Sequence, residues 1–318
     1  MPQDLQVVVA SRHSETEQVA VFELRALGGG ELPAFTAGAH VDLHLPNGLV
    51  RSYSLTNDQD ERDRYVIGVS RDAASRGGSR YLHEQVQVGS VLTLDGPRNH
   101  FPLEEGAARS IFIAGGIGIT PILSMTRRME KLGLSWLLHY CARTRSHAAY
   151  LDYLRAASAF EHGRVRLHFD QECGRLLDVD AVVAGAEPGT QIYCCGPTAM
   201  LAGFERAMAR RPDCVGHVEY FANGTAAAIA GGFEVALARS GRSIAVAPGK
   251  SILDALLEAG IEAPHSCREG VCGTCETRVL EGEPDHRDLV LSQAEHASCK
   301  LMMICVSGCK GKKLVLDM

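Results

Sequence analysis

Cys267-Arg268-Glu269-Gly270-Val271-Cys272-Gly273-Thr274-Cys275 is the stretch that decides the architecture of this chain. Its cysteines are spaced C-x4-C-x2-C, the plant-type [2Fe–2S] ligand signature. Two irons bridged by sulfide require four thiolates. One loop can supply three of them only if its backbone wraps tightly. Gly270 and Gly273 permit the dihedrals and the close approach that this demands. Backbone N–H groups of such a loop can point at the sulfurs and help set the potential. The competing readings are a zinc site, which prefers two close pairs, and plain core cysteines; the spacing favours the cluster. The fourth ligand lies downstream, among Cys299, Cys305 and Cys309. Cys305 falls in the apolar run Leu301-Met302-Met303-Ile304-Cys305-Val306, which reads as a strand entering the core. Cys299 lies in a polar stretch and Cys309 in a Gly/Lys turn. Cys305 is therefore the expected fourth ligand.

Working outward, a hairpin across 239–242 and a helix over 252–259 lead into the cysteine loop. The segment 222–232, ANGTAAAIAGG, is small and uncharged and reads as a linker. Upstream the pattern alternates. Strands are expected at 110–114, 136–141, 165–170, 191–194 and 215–220. Helices are expected at 122–132, 148–157 and 198–210, with another ending near 181–185. Such alternation implies a mostly parallel sheet with helices on both faces. Residues 1–100 read differently. Short runs of strand formers at 5–10, 19–27, 40–45, 50–56, 64–70 and 90–94 are separated by Gly-, Pro- and Asn-rich turns. That spacing suits a small antiparallel barrel, interrupted by a short helix near 78–85. The expected domains are 1–104, 105–224 and 233–318, with a linker at 225–232.

The composition is globular: 318 residues, 46% hydrophobic, 22% charged, net charge −6. No basic stretch interleaved with aromatics points to nucleic acid. No charged segment followed by a long apolar run marks an export signal, and no run of ~18 apolar residues marks a membrane span. A cytoplasmic protein is expected. In that compartment eleven cysteines argue for metal or redox chemistry rather than disulfides.

Two further constellations carry chemistry. Gly115-Gly116-Ile117-Gly118-Ile119-Thr120-Pro121 follows an apolar strand and opens a helix, a context in which glycines let a backbone approach a pyrophosphate. The spacing is not GxGxxG, and a structural turn is the plain alternative. Tyr193-Cys194-Cys195-Gly196-Pro197 also ends a strand, where ligands of open α/β sheets sit; Cys194 reads as core. In the barrel, Arg51-Ser52-Tyr53-Ser54-Leu55-Thr56 alternates along a strand. Ser70-Arg71 and Arg76-Gly77-Gly78-Ser79 place two guanidinium groups beside a glycine–serine turn at a helix start. That suits one phosphate monoester, against an ordinary surface turn.

The order of these motifs along the chain resembles that of the phthalate dioxygenase reductase family. The resemblance covers the whole chain. It implies an FMN-binding β-barrel, an α/β NAD-binding domain and a C-terminal α+β ferredoxin of β-grasp type. By position, Arg51, Ser52, Tyr53, Ser54 and Thr56 should hold the isoalloxazine and ribityl chain. Arg76, Gly77, Gly78 and Ser79 should receive the FMN phosphate. Gly115, Gly116, Gly118, Thr120, Pro121, Gly196 and Pro197 should line the dinucleotide, with Cys195 near the nicotinamide. Phe221 should cover the flavin, with Tyr220 as competitor. Cys305 also matches the family's fourth ligand. Near the adenine ribose, Arg143 and Arg145 would accept a 2′-phosphate and Asp170 would repel one; NADH is expected, with NADPH as the alternative. The implied function is a reductase that takes a hydride from NAD(P)H to FMN and passes single electrons through the cluster to a Rieske-type oxygenase. Ser54, Cys195 and Phe221 are the residues placed at the reacting atoms. A cytochrome P450 is the alternative partner, and a non-catalytic iron–sulfur interaction module is the alternative of another class.

Overall fold

A computed structural model describes residues 5–71, 77–157, 163–222 and 227–318. Arg76 and part of the expected linker lie outside the described residues. The chain forms two compact units, Met1–Glu219 and Tyr220–Met318.

The first unit opens with β1 (Leu5–Ser14), β2 (Val19–Ala26), β3 (His40–His44), β4 (Val50–Ser54), β5 (Tyr65–Ser70), α1 (Gly78–Gln85) and β6 (Val91–Arg98). These strands pair in the order β4-β3-β6-β1-β2-β5, antiparallel throughout. The outermost strands then meet. Leu55 bridges Ile67, and Thr56 N–H donates to Val66 O at 2.9 Å, so the sheet closes on itself. Closure removes the exposed edges that an open sheet would leave. Val7, Val9, Phe22, Leu24, Val41, Leu43 and Ile67 fill the interior. Each such residue contributes about 1.5–3 kcal/mol by leaving water.

The same unit continues with β7 (Arg109–Gly115), α2 (Ile119–Leu132), β8 (Ser135–Ala142), α3 (Leu151–Ala157), β9 (Gly163–Phe169), α4 (Asp170–Cys173), α5 (Val179–Ala184), β10 (Gln191–Cys195), α6 (Thr198–Met208) and β11 (Val215–Glu219). The sheet order is β11-β10-β7-β8-β9, all parallel. From Ser110 onward β7 is buried on both faces, as central parallel strands are. The helix expected from 148 begins only at Leu151, because Tyr150 adopts φ 61° and breaks the helical path. The barrel is not insulated from this layer. Its Val19, Val21, Ala37 and Phe101 share one core with Phe112, Ile119 and Met125.

The second unit holds β12 (Phe233–Leu237), β13 (Ser243–Val246), α7 (Ile252–Glu258), β14 (Glu276–Glu281), β15 (Pro284–Asp285), α8 (Gln293–Ser298), β16 (Leu301–Met303), β17 (Gly308–Cys309) and β18 (Lys313–Leu316). The main sheet runs β13-β12-β18-β14-β16, with β12 parallel to β18. It grasps α7 through Ile252, Leu253 and Leu256. A capping box between Ser251 and Asp254 starts that helix. One expectation is corrected here. The run from 301 to 306 is not one strand. It leaves the sheet after Met303, and Cys305 lies in a turn whose Val306 and Ser307 N–H groups donate to Met303 O at 3.2 and 2.9 Å. A turn lets the chain swing its cysteine towards the loop at 267–275, which a straight strand would carry past.

Candidate functional site

The loop between α7 and β14 brings three buried cysteines together, and the turn after β16 adds the fourth. Cys267, Cys272, Cys275 and Cys305 are all buried. The Cys267 and Cys272 side chains hydrogen-bond each other, and so do those of Cys275 and Cys305. The two pairs are adjacent, since Cys272 also acts electrostatically on Cys305. Backbone donors surround the sulfurs: Glu269 N–H reaches Cys267 Sγ at 3.3 Å, and Cys267 N–H reaches Cys272 Sγ at 3.5 Å. Thr274 Oγ1 lies 3.3 Å from Cys272 Sγ. The hydrogen bond from Cys267, with these donors, pulls Cys272 down to about 6, towards the thiolate that binds metal.

Gly270 shows why the loop needs its glycine. It sits at φ +69°, and a Cβ there would lie 2.5 Å from Val306 Cγ2 and 3.1 Å from Asp288 Cα. The wrapped loop and the turn bearing Cys305 therefore touch through a residue with no side chain. Four buried sulfurs in two pairs, ringed by N–H donors, fit a [2Fe–2S] cluster. Cys299 and Cys309 stand apart from this arrangement. Cys299 caps α8 and its thiol faces His296 O, while the Cys309 thiol faces Lys313 O.

In the first unit the glycine turn and the later cysteine–glycine–proline stretch meet at the C-terminal ends of β7 and β10. A Cβ on Gly118 would lie 2.2 Å from Cys195 O, and one on Gly115 would lie 2.6 Å from Pro197 Cδ. A Cβ on Gly196 would lie 2.8 Å from Met200 Sδ and 3.1 Å from Gly115 Cα. Gly116 differs. It takes φ +54°, and nothing stands within 4 Å of where its Cβ would be. The two motifs thus form one backbone-walled cradle with an open side at Gly116, suited to a pyrophosphate. The Cys195 side chain is wholly covered, and burial first, then Glu219, pushes its thiol far up. Thr120 donates to Ile117 O at 2.9 Å, and its methyl lies towards Gly68 of the barrel. Pro121 is buried in the first turn of α2.

The barrel residues are only partly drawn together. Arg51 lies over Gly78, whose Cβ would meet Arg51 Nε at 2.9 Å. Gly77 caps α1 in the left-handed region, and Ser79 follows in the first turn. This places a guanidinium at the helix start where a phosphate would sit. Arg71 instead pairs with Glu84 at 2.9 Å. Ser52 donates to buried Asp42, which Arg98 also binds at 2.6 Å. Ser54 and Thr56 are buried, and Thr56 Oγ1 donates to Val66 O at 3.1 Å. Tyr53 packs on the barrel core, where burial pushes its hydroxyl up. Phe221 is exposed and belongs to the second unit.

Some residues escaped the sequence reading. Arg127 Nε donates to Thr56 O at 3.1 Å, and its guanidinium stacks 4.1 Å from the Tyr153 ring centroid. Glu219, opposite Cys195 in the β10–β11 register, has a buried carboxyl oxygen without a partner. No local motif marks either residue, since both act across strands or helices distant in sequence.

The comparisons agree with this arrangement. Residues 235–310 match the 2Fe-2S iron-sulfur cluster binding domain model, and residues 112–206 match the oxidoreductase NAD-binding domain model. The chain is 54% identical over 303 residues to the phenoxybenzoate dioxygenase subunit beta of Ectopseudomonas oleovorans, covering 95% of this chain and 93% of that one. Its structure superposes on phthalate dioxygenase reductase with a TM-score of 0.74 at 38% identity, over 99% of this chain and 98% of that one. The chain belongs to the phthalate dioxygenase reductase family. Like that reductase, described as a modular structure for electron transfer from pyridine nucleotides to [2Fe-2S], it combines an antiparallel barrel, a parallel-sheet layer and a ferredoxin layer. As a phthalate dioxygenase reductase relative it is an oxidoreductase using NADH, FMN and a [2Fe–2S] cluster. Part of a type IV self-sufficient cytochrome P450 monooxygenase is also similar to this chain. The match has a TM-score of 0.89 at 39% identity and covers 99% of this chain, but only 41% of that one. No helix among the described residues is long and apolar enough to cross a membrane.

Proposed function

We propose that this chain is the reductase component of a two-component oxygenase, working in the cytoplasm and delivering electrons to a separate Rieske-type partner. The observation that carries this reading is the pairing of Cys267 with Cys272 and of Cys275 with Cys305, in one chain with the glycine cradle at Gly116. Bound flavin accepts an electron pair and releases electrons singly, which matches a two-electron donor to a one-electron cluster. The protein's part is orientation. Gly115, Gly116, Gly118, Gly196 and Pro197 receive the dinucleotide, and the wall behind the nicotinamide is Cys195. Arg51, Ser52, Tyr53, Ser54 and Thr56 hold the flavin, and Arg76 to Ser79 hold its phosphate. No general acid or base is needed, and buried Cys195 acts by shape rather than as a thiolate. Plant-type clusters lie near roughly −400 mV, low enough to reduce a Rieske centre.

A P450 partner is the second reading, favoured by the fused monooxygenase that carries a similar module. The test reconstitutes the protein anaerobically with FMN, iron and sulfide, and follows NADH-dependent reduction of cytochrome c. Purified Rieske oxygenase and P450 are then offered as acceptors. Absence of NADH-driven turnover sinks the reading, and transfer to the P450 alone moves it to the second.

A further inference from the structure

His286 and Asp288 follow β15, and His296 lies in α8; the three side chains converge within the second unit. The His286 and His296 rings are stacked, 4.3 Å between centroids and 18° apart in plane. His296 Nε2 is 3.2 Å from Asp288 Oδ2, and His286 Nδ1 is 3.6 Å from Asp288 Oδ1. One ligand atom from each residue lies within 4.8 Å of the others. Donors around a tetrahedral zinc at ~2.0–2.1 Å stand about 3.4 Å apart, so binding requires the donors to close by about an ångström and the stacked rings to turn until both nitrogens face one point. Two imidazoles and a carboxylate, leaving a fourth position open, are a familiar zinc donor set.

A second observation points to a ligand. The His286 side chain is only 9% exposed, and its ring nitrogens have no partner at full hydrogen-bond distance, Nδ1 reaching only to Asp288 at 3.6 Å. Leaving buried polar groups without full partners is unfavourable, a cost that coordination would offset. Asp288 is held ready. Its side chain is 0% exposed and accepts from Val290 N–H at 3.3 Å, Leu291 N–H at 3.0 Å and Ser307 Oγ at 3.3 Å. Such outer donors orient metal-binding carboxylates. His296 is 29% exposed and leaves a path for entry.

We propose that His286, Asp288 and His296 bind one divalent transition-metal ion of the zinc class, at a site separate from the four paired cysteines. Leu289 N–H donates to Gly270 O at 2.9 Å, so a metal here would tie the α8 segment to the back of the cysteine loop.

The test uses the full chain loaded with FMN and its cluster, with iron per chain verified. It is dialysed against zinc chloride alone in chelator-free buffer, with bound zinc measured by mass spectrometry and affinity by calorimetry. One zinc per chain is expected, bound at least about tenfold more weakly in His296→Gln at unchanged iron content. His286→Gln should behave alike; if it loses its cluster, the rim variant His296→Gln decides. The double variant Cys299→Ser/Cys309→Ser should bind zinc as the parent does, which excludes adventitious thiol binding. The proposal is overturned if the loaded protein takes up no stoichiometric zinc, if His296→Gln binds as tightly as the parent, or if the cysteine variant loses the metal. None of these outcomes depends on NADH turnover.

Discussion

The cysteine loop of the second unit and the glycine turn of the first solve opposite problems with the same residue. Gly270 takes a positive φ and is hemmed in by Val306 and Asp288; Gly116 takes a positive φ and faces empty space. Gly118, in ordinary helical geometry, has no conformational need to be glycine at all. It must be one because Cys195 O stands where a Cβ would go. The cysteine site is closed, buried and defined by its side chains. The dinucleotide cradle is open at Gly116 and is defined mostly by the backbone spaces its glycines leave. A closed donor set is written in residue identities, whereas a backbone cradle is written only in spaces.

The largest expected effect tests the closed site. Cys305→Ser should lose most of its iron and visible absorbance, while Cys299→Ser and Cys309→Ser retain theirs. Full iron in Cys305→Ser would break the contrast, because the donor set would then not be the one that the pairing indicates. Next come the glycines. Gly118→Ala should cost about 2–4 kcal/mol of stability, since its methyl meets backbone that cannot yield. Gly116→Ala should cost only about 1–2 kcal/mol, for its left-handed backbone, yet raise the KM for NADH by placing a methyl in the cradle. Thermal melts and steady-state kinetics separate the two; equal melting losses would show that the open side is not open.

Glu219 gives a pH-dependent effect beside the cradle. Burial raises its carboxyl to about 8 from the ordinary 4.5. Below the lower value both folded and unfolded states hold the proton, and the group makes no difference. As pH rises from about 4.5 to about 8, the unfolded chain sheds the proton while the folded chain keeps it, so folding is progressively penalised. Glu219→Gln should match the parent near pH 4 and melt higher at pH 8, by about 1–3 kcal/mol. Equal melting temperatures at both pH values would refute the buried acid. The smallest effect concerns cofactor choice. Arg145 is engaged with the Phe169 ring, 4.7 Å from its centroid, and with Glu172 at 3.6 Å, leaving Asp170 as the charge that follows β9. Asp170→Asn should raise kcat/KM for NADPH about fivefold, the equivalent of ~1 kcal/mol; no change would place the selection elsewhere.

Much of this was legible in the sequence because it rests on local periodicity. The barrel strands, the strand–helix alternation and the three clustered cysteines all declare themselves within windows of about ten residues. The departures have local physical causes as well. Tyr150 delays α3 through one left-handed residue, and the run carrying Cys305 turns after Met303 because two N–H groups converge on one carbonyl. What could not be read were contacts between distant segments. Arg127 gripping Thr56 O, Ser52 tied to Asp42, and the His286–Asp288–His296 trio join residues with no common motif.

By itself, then, the order of residues determined the three layers, the C-x4-C-x2-C loop and the glycine turn, since these follow from side-chain periodicity and ligand spacing. Only the tertiary structure decided that Cys305 pairs with Cys275, and that Gly118 lies against Cys195 while Gly116 stays open. Those outcomes depend on where separate segments come to rest in a shared core, and close packing, unlike periodicity, is a property of the whole chain.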